Sequence, residues 1–182
     1  MEKEINKTLG YFNTIAANYD NTHYTNVSKD NMLGHYKKVK DLIRRPLLEL
    51  GCGTGNSTEY LMPDVASDFS EEMVSSTRKK VPGILIYKID AHDIPFDDDE
   101  FSTTISFALL QHCINPKKVI SEMVRVSTHN VVIVTNLFNK YSETNNEYLV
   151  RHFSMGYLKK LLSGYTYSTQ PTKNGIIINI LC

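Results

Sequence analysis

Residues Leu47 to Asn56 read LLELGCGTGN, and this stretch decides the fold. An apolar run that contains Glu49 leads into glycines at every second position, Gly51, Gly53 and Gly55. Glycine lacks a Cβ, so it can take positive φ and let the backbone come close to a ligand. A strand that ends in such a loop and feeds a helix is the turn that cradles a nucleotide-like cofactor.

The glycine spacing alone leaves more than one class of cofactor open. Dinucleotide-binding folds use the pattern G-x-G-x-x-G, which requires a glycine at position 56. This chain has Asn56 there. The spacing therefore favours a ligand that brings no pyrophosphate to the helix N-terminus, although the loop by itself does not decide the question.

The composition is that of one ordinary domain. The chain has 182 residues, and 20 Lys plus Arg balance 20 Asp plus Glu, so no basic stripe indicates a nucleic-acid partner. The three cysteines lack metal-ligand spacing, and no apolar run approaches the roughly 18 residues of a membrane span. We expect a cytoplasmic protein without bound metal; the sequence does not indicate its oligomeric state.

Strands and helices alternate along most of the chain. Apolar runs predict strands at residues 47–50, 65–68, 84–90, 102–107 and 130–135, with helices between them. This alternation predicts a parallel α/β sheet with helices on both faces. The last two predicted strands, 165–169 and 175–181, are joined by too short a connection for a parallel crossover and must be antiparallel.

The residues before the first strand predict two helices and a polar loop. The first helix is expected from about Glu4 to Ala17, and Asp30 is a plausible N-cap for the second. The loop between them offers Tyr19, Asp20, His23 and Tyr24. This region fits either a surface cap or a lid that faces a ligand.

Acidic residues follow two of the predicted strands. Asp68 ends the second and Asp90 ends the third, at the sheet edge where α/β folds bind ligands. These carboxylates could act as an acid/base pair, ligate a metal or hold a nucleoside. A ribose diol suits one carboxylate well, since charge-assisted hydrogen bonds contribute about 1.5 to 3 kcal/mol each. Alternatively, Asp68 caps the next helix and Asp90 is a solvated loop acid, whereas Glu49 needs a partner inside its apolar strand.

Six segments in this order carry a family resemblance. They are LLELGCGTG, SDFSEEMV, IDAHDIPFDDDEFS, ISFALLQHCINPKKVISEMVRV, the amino-terminal FNTIAANYD and the late FSMGYLKKLLSGY. With them the chain resembles the class I S-adenosylmethionine-dependent methyltransferases of the small type 11 group, which includes ubiquinone and menaquinone biosynthesis enzymes. The resemblance implies a single-domain Rossmann-like three-layer sandwich over residues 1–182. It further implies a seven-stranded, mostly parallel sheet with the last strand antiparallel, and divides the chain into a helical lid (residues 1–45) and a core (residues 46–182).

The resemblance also implies S-adenosyl-L-methionine as cofactor and S-adenosyl-L-homocysteine as product. Asp68 would hold the ribose hydroxyls, and Asp90 would meet the adenine amino group. The backbones of Ala91 and His92 would meet the ring edge, and the Phe107 carbonyl would lie near the methionine ammonium. The other cofactor-binding residues implied are Tyr19, Glu49, Gly51, Cys52, Gly53, Gly55, Phe69 and Met73.

The implied reaction is in-line methyl transfer, most simply to a small-molecule acceptor. Positioning alone can contribute about 7 to 11 kcal/mol, so no base is obligatory. For a hydroxyl or acidic carbon acceptor, His112, His23 or Tyr19 could take the proton. Alternatives are a tRNA or protein methyltransferase that works with a partner, a silent cofactor-binding module, and a nicotinamide oxidoreductase.

The chain departs from the family pattern in three places. The segment from residue 55 to 68 is short, so the first core helix should be stunted. STHN, residues 127–130, replaces the usual glycine-rich turn before the fifth strand. Residues 136–153 are too few for an elaborate substrate domain, so the acceptor site should come from the lid, the QHC loop at 111–113 and this segment.

Overall fold

A computed structural model describes residues 2–22, 26–144, 148–173 and 175–182, the side chains of residues 2 and 26–29 excepted. The strands are β1 (Leu47–Leu50), β2 (Val65–Asp68), β3 (Leu85–Lys88), β4 (Phe101–Phe107), β5 (Ser127–Asn136), β6 (Ser142–Thr144), β7 (Val150–His152), β8 (Thr166–Pro171) and β9 (Gly175–Leu181). The α-helices are α1 (Glu2–Ile15), α2 (Tyr19–Thr22), α3 (Asn26–Val39), α4 (Asn56–Leu61), α5 (Glu71–Lys80), α6 (Pro116–Arg125) and α7 (Met155–Leu161).

Seven of these strands form one sheet in the order β3-β2-β1-β4-β5-β9-β8. The pairs from β3 to β5 are parallel, whereas β9 lies antiparallel between β5 and β8. The strand order reverses at β1, whose neighbours are β2 and β4. The predicted α/β class and the seven-stranded, mostly parallel sheet are therefore confirmed, and the reversal opens a crevice at the carboxyl ends of β1 and β4.

The two faces of the sheet bury alternate residues of the same strands. Leu48, Val131 and Ile133 pack in one cluster together with α6 and α7, while Leu47 and Val132 pack in the other together with α3. Both faces are thus covered, which is why these strands are continuously apolar in sequence. Within the described ranges, no helix is both long and apolar enough to cross a membrane.

The amino-terminal prediction is correct in outline and wrong in detail. Residues 19–22, predicted as loop, form the helical turn α2. Asp30 lies inside α3 rather than at its N-cap, because the helix begins one turn earlier, at Asn26. His23 and Tyr24 lie outside the described residues.

The STHN segment is strand rather than a turn. Ser127 begins β5, and its hydroxyl hydrogen-bonds Thr104 Oγ1 at 2.7 Å, while Asn130 Oδ1 accepts from Thr103 Oγ1 at 2.7 Å. Buried polar side chains need such partners, and here β4 supplies them, so the strand continues through a polar sequence. The stunted first core helix is observed, since α4 has only 6 residues.

The segment after β5 forms a small hairpin, β6–β7, that the sequence does not predict. Its Arg151 donates hydrogen bonds to the carbonyls of Cys113 and Ile114 and pairs with Glu143 at 3.1 Å. These contacts fix the hairpin against the loop that follows β4. Part of the hairpin therefore lies beside the crevice at the sheet edge.

Candidate functional site

A cavity of about 900 Å³ lies at the carboxyl ends of β1, β2 and β4. This is within the range of about 300 to 1,000 Å³ typical of small-molecule sites. Its floor includes the loop from Gly51 to Asn56, and its roof includes Leu9 and Phe12 of α1. The cavity is the part of the described structure where the sequence-predicted residues converge.

The glycine loop adopts the conformation that its sequence predicts. Gly51, Gly53 and Gly55 all have positive φ, of 73°, 56° and 86°. Gly51 and Gly53 line the cavity, whereas Gly55 does not. A Cβ on Gly55 would lie 2.9 Å from the Thr77 Cγ2 atom of α5, so this glycine lets the loop pack on the helix.

Asp68 lies on the cavity floor with both carboxylate oxygens tied to backbone. Its Oδ2 accepts from the Gly53 amide and its Oδ1 from the Ser70 amide, each at 2.9 Å. Burial raises the pKa of Asp68, an effect that these amide hydrogen bonds oppose. A carboxylate offers about four acceptor positions, so Asp68 keeps acceptor capacity towards the cavity. Ser70 itself caps α5 by accepting from the Met73 amide at 3.2 Å.

Asp90 lines the cavity beyond the end of β3. Its Oδ1 accepts from His92 Nδ1 at 2.7 Å and from the His92 amide at 2.9 Å, and these bonds lower the pKa of Asp90. His92 Nε2 accepts from the Asn115 amide, which leaves the ring hydrogen on Nδ1. Within the described residues Oδ2 of Asp90 has no hydrogen-bond partner, so it can accept a donor such as an amino group.

Glu49 does not line the cavity. It is 1% exposed, and its carboxylate accepts hydrogen bonds from the hydroxyls of Ser57 and Thr58. Burial raises the pKa of Glu49, and the two hydroxyls oppose that rise. Glu49 therefore joins β1 to the first turn of α4 and supports the loop from behind. The other predicted cofactor-binding residues line the cavity: Tyr19, Cys52, Phe69, Met73, Ala91, His92 and Phe107.

His112 lines the cavity, among aromatic rings. Its Nδ1 lies 2.9 Å from the Leu149 carbonyl oxygen; a carbonyl only accepts, so Nδ1 carries the hydrogen. Burial lowers the pKa of His112 to about 4, although the bond to Leu149 opposes this change. The imidazole is thus neutral near pH 7, with a lone pair on Nε2, which has no partner in the described part of the chain.

Aromatic rings from separate elements surround His112. Phe12 of α1 meets its ring edge-on at 5.2 Å, and Tyr148, just before β7, lies 5.4 Å away. Tyr148 in turn stacks on Tyr11 at 3.8 Å. Side chains of α1 and of the segment before β7 therefore pack around His112 and line this side of the cavity.

The other reactive side chains of the cavity are held in their protonated forms. Burial raises the pKa of Tyr19 to about 12, helped by Tyr148, Asp68 and Asp20. Burial likewise raises the pKa of Cys113 to about 12. Neither group is ionised near pH 7. Among the described residues no cluster of three or more His, Cys, Asp or Glu side chains is placed to hold a metal ion.

Two features of the site escaped sequence reasoning. Asp20, which the sequence places only in a polar loop, accepts a hydrogen bond from Thr54 of the glycine loop. Ala108, directly after β4, has a positive φ of 52° and lines the cavity. A non-glycine residue in this region signals strain at a functional site, and no sequence pattern indicates it.

Comparison with known proteins agrees with this geometry. A family model described as a methyltransferase domain matches residues 48–135. A demethylmenaquinone methyltransferase of Clavibacter sepedonicus is 31% identical over 69% of this chain and 56% of that protein. A malonyl-[acyl-carrier protein] O-methyltransferase of Bacillus anthracis is 32% identical over 75% of this chain and 55% of that protein. The chain spans little more than half the length of these curated relatives.

Solved structures share the fold over nearly the whole chain. An S-adenosylmethionine-dependent methyltransferase of Thermotoga maritima, titled a possible histamine N-methyltransferase, superposes with a TM-score of 0.76 at 18% identity, covering 94% of this chain and 98% of that one. The DhpI–SAH complex superposes with a TM-score of 0.75 at 19% identity, covering 100% and 98%. At these identities the likeness concerns the fold alone.

Proposed function

Since the chain belongs to the class I S-adenosylmethionine-dependent methyltransferases of the type 11 group, we propose that it transfers a methyl group from S-adenosyl-L-methionine to a small-molecule acceptor. The cofactor, when bound, supplies a methyl group already activated for in-line displacement. The chain's own residues then bind and orient the cofactor and the acceptor, exclude water and move one proton.

The observation that carries the proposal is the placement of Asp68 and Asp90. Asp68 ends β2, Asp90 follows the adjacent strand β3, and both line one cavity with the glycine loop. Asp68 keeps acceptor capacity for the two hydroxyls of a ribose, and Asp90 Oδ2 suits the adenine amino group. The cofactor therefore fits the residues present. Gly51, Gly53 and Phe107 would contact its methionine end. Other parts of the cofactor would contact Tyr19, Cys52, Phe69, Met73, Ala91 and His92.

Glu49 and Gly55 have a different proposed role. Neither lines the cavity, so we assign them to the support of the loop rather than to direct contact with the cofactor. Glu49 holds α4 through two hydroxyls, and Gly55 lets the loop approach α5.

His112 is the proposed base for an acceptor with an acidic O–H or C–H. Its neutral imidazole would accept the proton on Nε2 while the acceptor's freed electron pair forms the new bond to the methyl carbon and the methyl–sulfur bond breaks, leaving S-adenosyl-L-homocysteine. Leu149 keeps the ring in the correct tautomer throughout. Tyr19 is the weaker candidate because a phenol with a pKa of about 12 stays protonated near pH 7.

A small acceptor suits the walls around His112. Those nearest it are the rings of Phe12 and Tyr148, with neutral Gln111 beside them. The relatives named above act on demethylmenaquinone and on malonyl-[acyl-carrier protein], which supports an acceptor outside the nucleic acids. The neutral charge of the chain also disfavours RNA. Its three free cysteines support the proposed cytoplasmic location.

A labelled-donor screen tests the function. The purified protein is incubated with methyl-labelled S-adenosylmethionine and fractionated small-molecule extracts, and labelled products are identified by mass. We expect label in a small molecule with the wild type and none with Asp68→Ala at equal folded concentration. Label that appears only in RNA or protein fractions would contradict the small-molecule assignment.

A further inference from the structure

A polar network ties the start of the chain to the glycine loop. Asp20 Oδ1 accepts from Thr54 Oγ1 at 2.5 Å and from Asn56 Nδ2 at 2.9 Å. Asp20 Oδ2 accepts from Lys80 Nζ at 2.8 Å, and Lys80 also donates to Asn56 Oδ1 at 2.8 Å. Three side chains, from the glycine loop, α4 and α5, therefore meet at the Asp20 carboxylate of α2.

The network explains residues that had no other role. Asn56 occupies the position where dinucleotide-binding loops have glycine, and it contributes both an N–H donor and an oxygen acceptor. Lys80 lies in the last turn of α5, yet its ammonium turns to Asp20 rather than to solvent alone. Burial opposes ionisation of Asp20, but the bonds from Lys80, Thr54 and Asn56 lower its pKa, so the carboxylate is charged.

The neighbouring residue connects this network to the ligand. Tyr19 lines the cavity, and its pKa responds to the Asp68 carboxylate, so its side chain is close to the proposed ribose position. Asp20 is the next residue of the same helical turn. A bond at Asp20 therefore fixes the part of the lid that covers the cavity beside Asp68.

We propose that Asp20 is a positioning residue that latches the lid to the glycine loop and so sets how long the cofactor and its product stay bound. The claim rests on the proposed function for the identity of the ligand. The Asp20–Lys80 pair alone is a weak latch, because the two side chains are 40% and 26% exposed. The convergence of three donors on one carboxylate, two of them next to the ligand, gives the latch its strength.

The test compares five variants. Asp20→Ala removes the whole latch, Asp20→Asn removes its charge, and Lys80→Met removes the ion pair together with the hydrogen bond from Lys80 to Asn56. Glu71→Gln is the matched control, since it breaks another ion pair of α5, with Arg78 at 3.5 Å, away from the lid. The double variant Asp20→Asn/Lys80→Met tests whether the two side chains act as a unit.

Two readouts are needed. Hydrogen–deuterium exchange of the ligand-free protein should be faster in residues 2–22 of Asp20→Ala, while the strands of the sheet keep wild-type rates. Stopped-flow dissociation of S-adenosylhomocysteine should be about tenfold faster in Asp20→Ala, less affected in Lys80→Met and unchanged in Glu71→Gln. The double variant should resemble Asp20→Asn.

The outcomes separate the two proposals. Wild-type binding with unchanged release from Asp20→Ala overturns the latch and leaves the proposed function intact. Faster exchange without faster release also overturns it, because Asp20 would then only stabilise the lid. Failure of the wild-type protein to bind S-adenosylhomocysteine overturns both the proposed function and the claim on residence time. The contact between Asp20 and the glycine loop would then be structural only.

Discussion

Replacing His112 with asparagine should make the free energy of unfolding fall less steeply as the solution becomes acidic. Burial lowers the pKa of His112 from 6.5 to about 4, so the unfolded chain binds a proton at a higher pH than the folded protein. The contribution of neutral His112 to the free energy of unfolding is therefore fully present above pH 6.5 and is lost as the pH falls from 6.5 towards 4.

The size of the effect follows from the two pKa values. The folded protein loses about 2 kcal/mol at about pH 5 relative to neutral pH through this residue, and about 3 kcal/mol at about pH 4. One face of the ring meets the cavity, so hydration there makes these values upper bounds. An asparagine Nδ2 can still donate to the Leu149 carbonyl but carries no titratable group.

Urea unfolding at about pH 7.5 and about pH 5 measures the difference. The wild-type free energy of unfolding should fall by up to about 2 kcal/mol more than that of His112→Asn between the two conditions. His129→Asn, at an exposed histidine outside the cavity, controls for loss of a histidine as such. Equal losses in wild type and His112→Asn would refute a buried, neutral His112.

Three further changes probe the rest of the site. Asp68→Asn keeps an oxygen for the loop amides but removes the charge, so it should weaken S-adenosylhomocysteine binding about 10- to 100-fold by calorimetry; unchanged affinity would refute the ribose role. Glu49→Ala leaves two buried hydroxyls without an acceptor and should lower the free energy of unfolding by about 2 to 4 kcal/mol in urea titrations, whereas exposed Glu59→Ala on α4 should change it by less than about 0.5 kcal/mol. Gly55→Ala combines a φ of 86° with a contact of 2.9 Å to the Thr77 methyl, and should lower the melting temperature. The double variant Gly55→Ala/Thr77→Ser should recover part of that loss, and a single variant as stable as wild type would contradict the packing.

Local pattern was enough to predict an α/β sheet and most of its strands, whereas the seven-stranded arrangement was implied by the family resemblance. Residues 131–134 form a continuous apolar run because β5 is buried on both faces there, and this burial is itself a property of parallel sheets. The glycine spacing in the loop after β1 predicts the positive φ values found there. The short tail connection likewise requires an antiparallel pair, which β8 and β9 form.

Tertiary partners account for what local pattern missed. The polar start of β5 is strand because β4 presents hydroxyls to Ser127 and Asn130, and no local signal gives their positions. The hairpin β6–β7 depends on Arg151 reaching carbonyls almost 40 residues earlier in the chain. Such contacts override weak local preferences and appear only once the chain is folded.

For the site residues too, sequence predicts some positions, whereas their hydrogen-bond partners depend on the fold. Asp68 and Asp90 were predicted to lie together because carboxyl ends of parallel strands share one edge of the sheet, and both line the cavity. The protonation state of His112 depends on the Leu149 carbonyl, 37 residues away, and the latch joins Asp20 to Lys80 across 60 residues. Sequence spacing could identify these side chains but not their partners.

Calorimetric titration of the wild-type protein with S-adenosylhomocysteine and, separately, with NADH tests which cofactor the cavity binds. We expect one site per chain with micromolar affinity for S-adenosylhomocysteine and no heat of binding with NADH. Binding of NADH without S-adenosylhomocysteine would contradict the assignment of the cavity and of Asp68 within it.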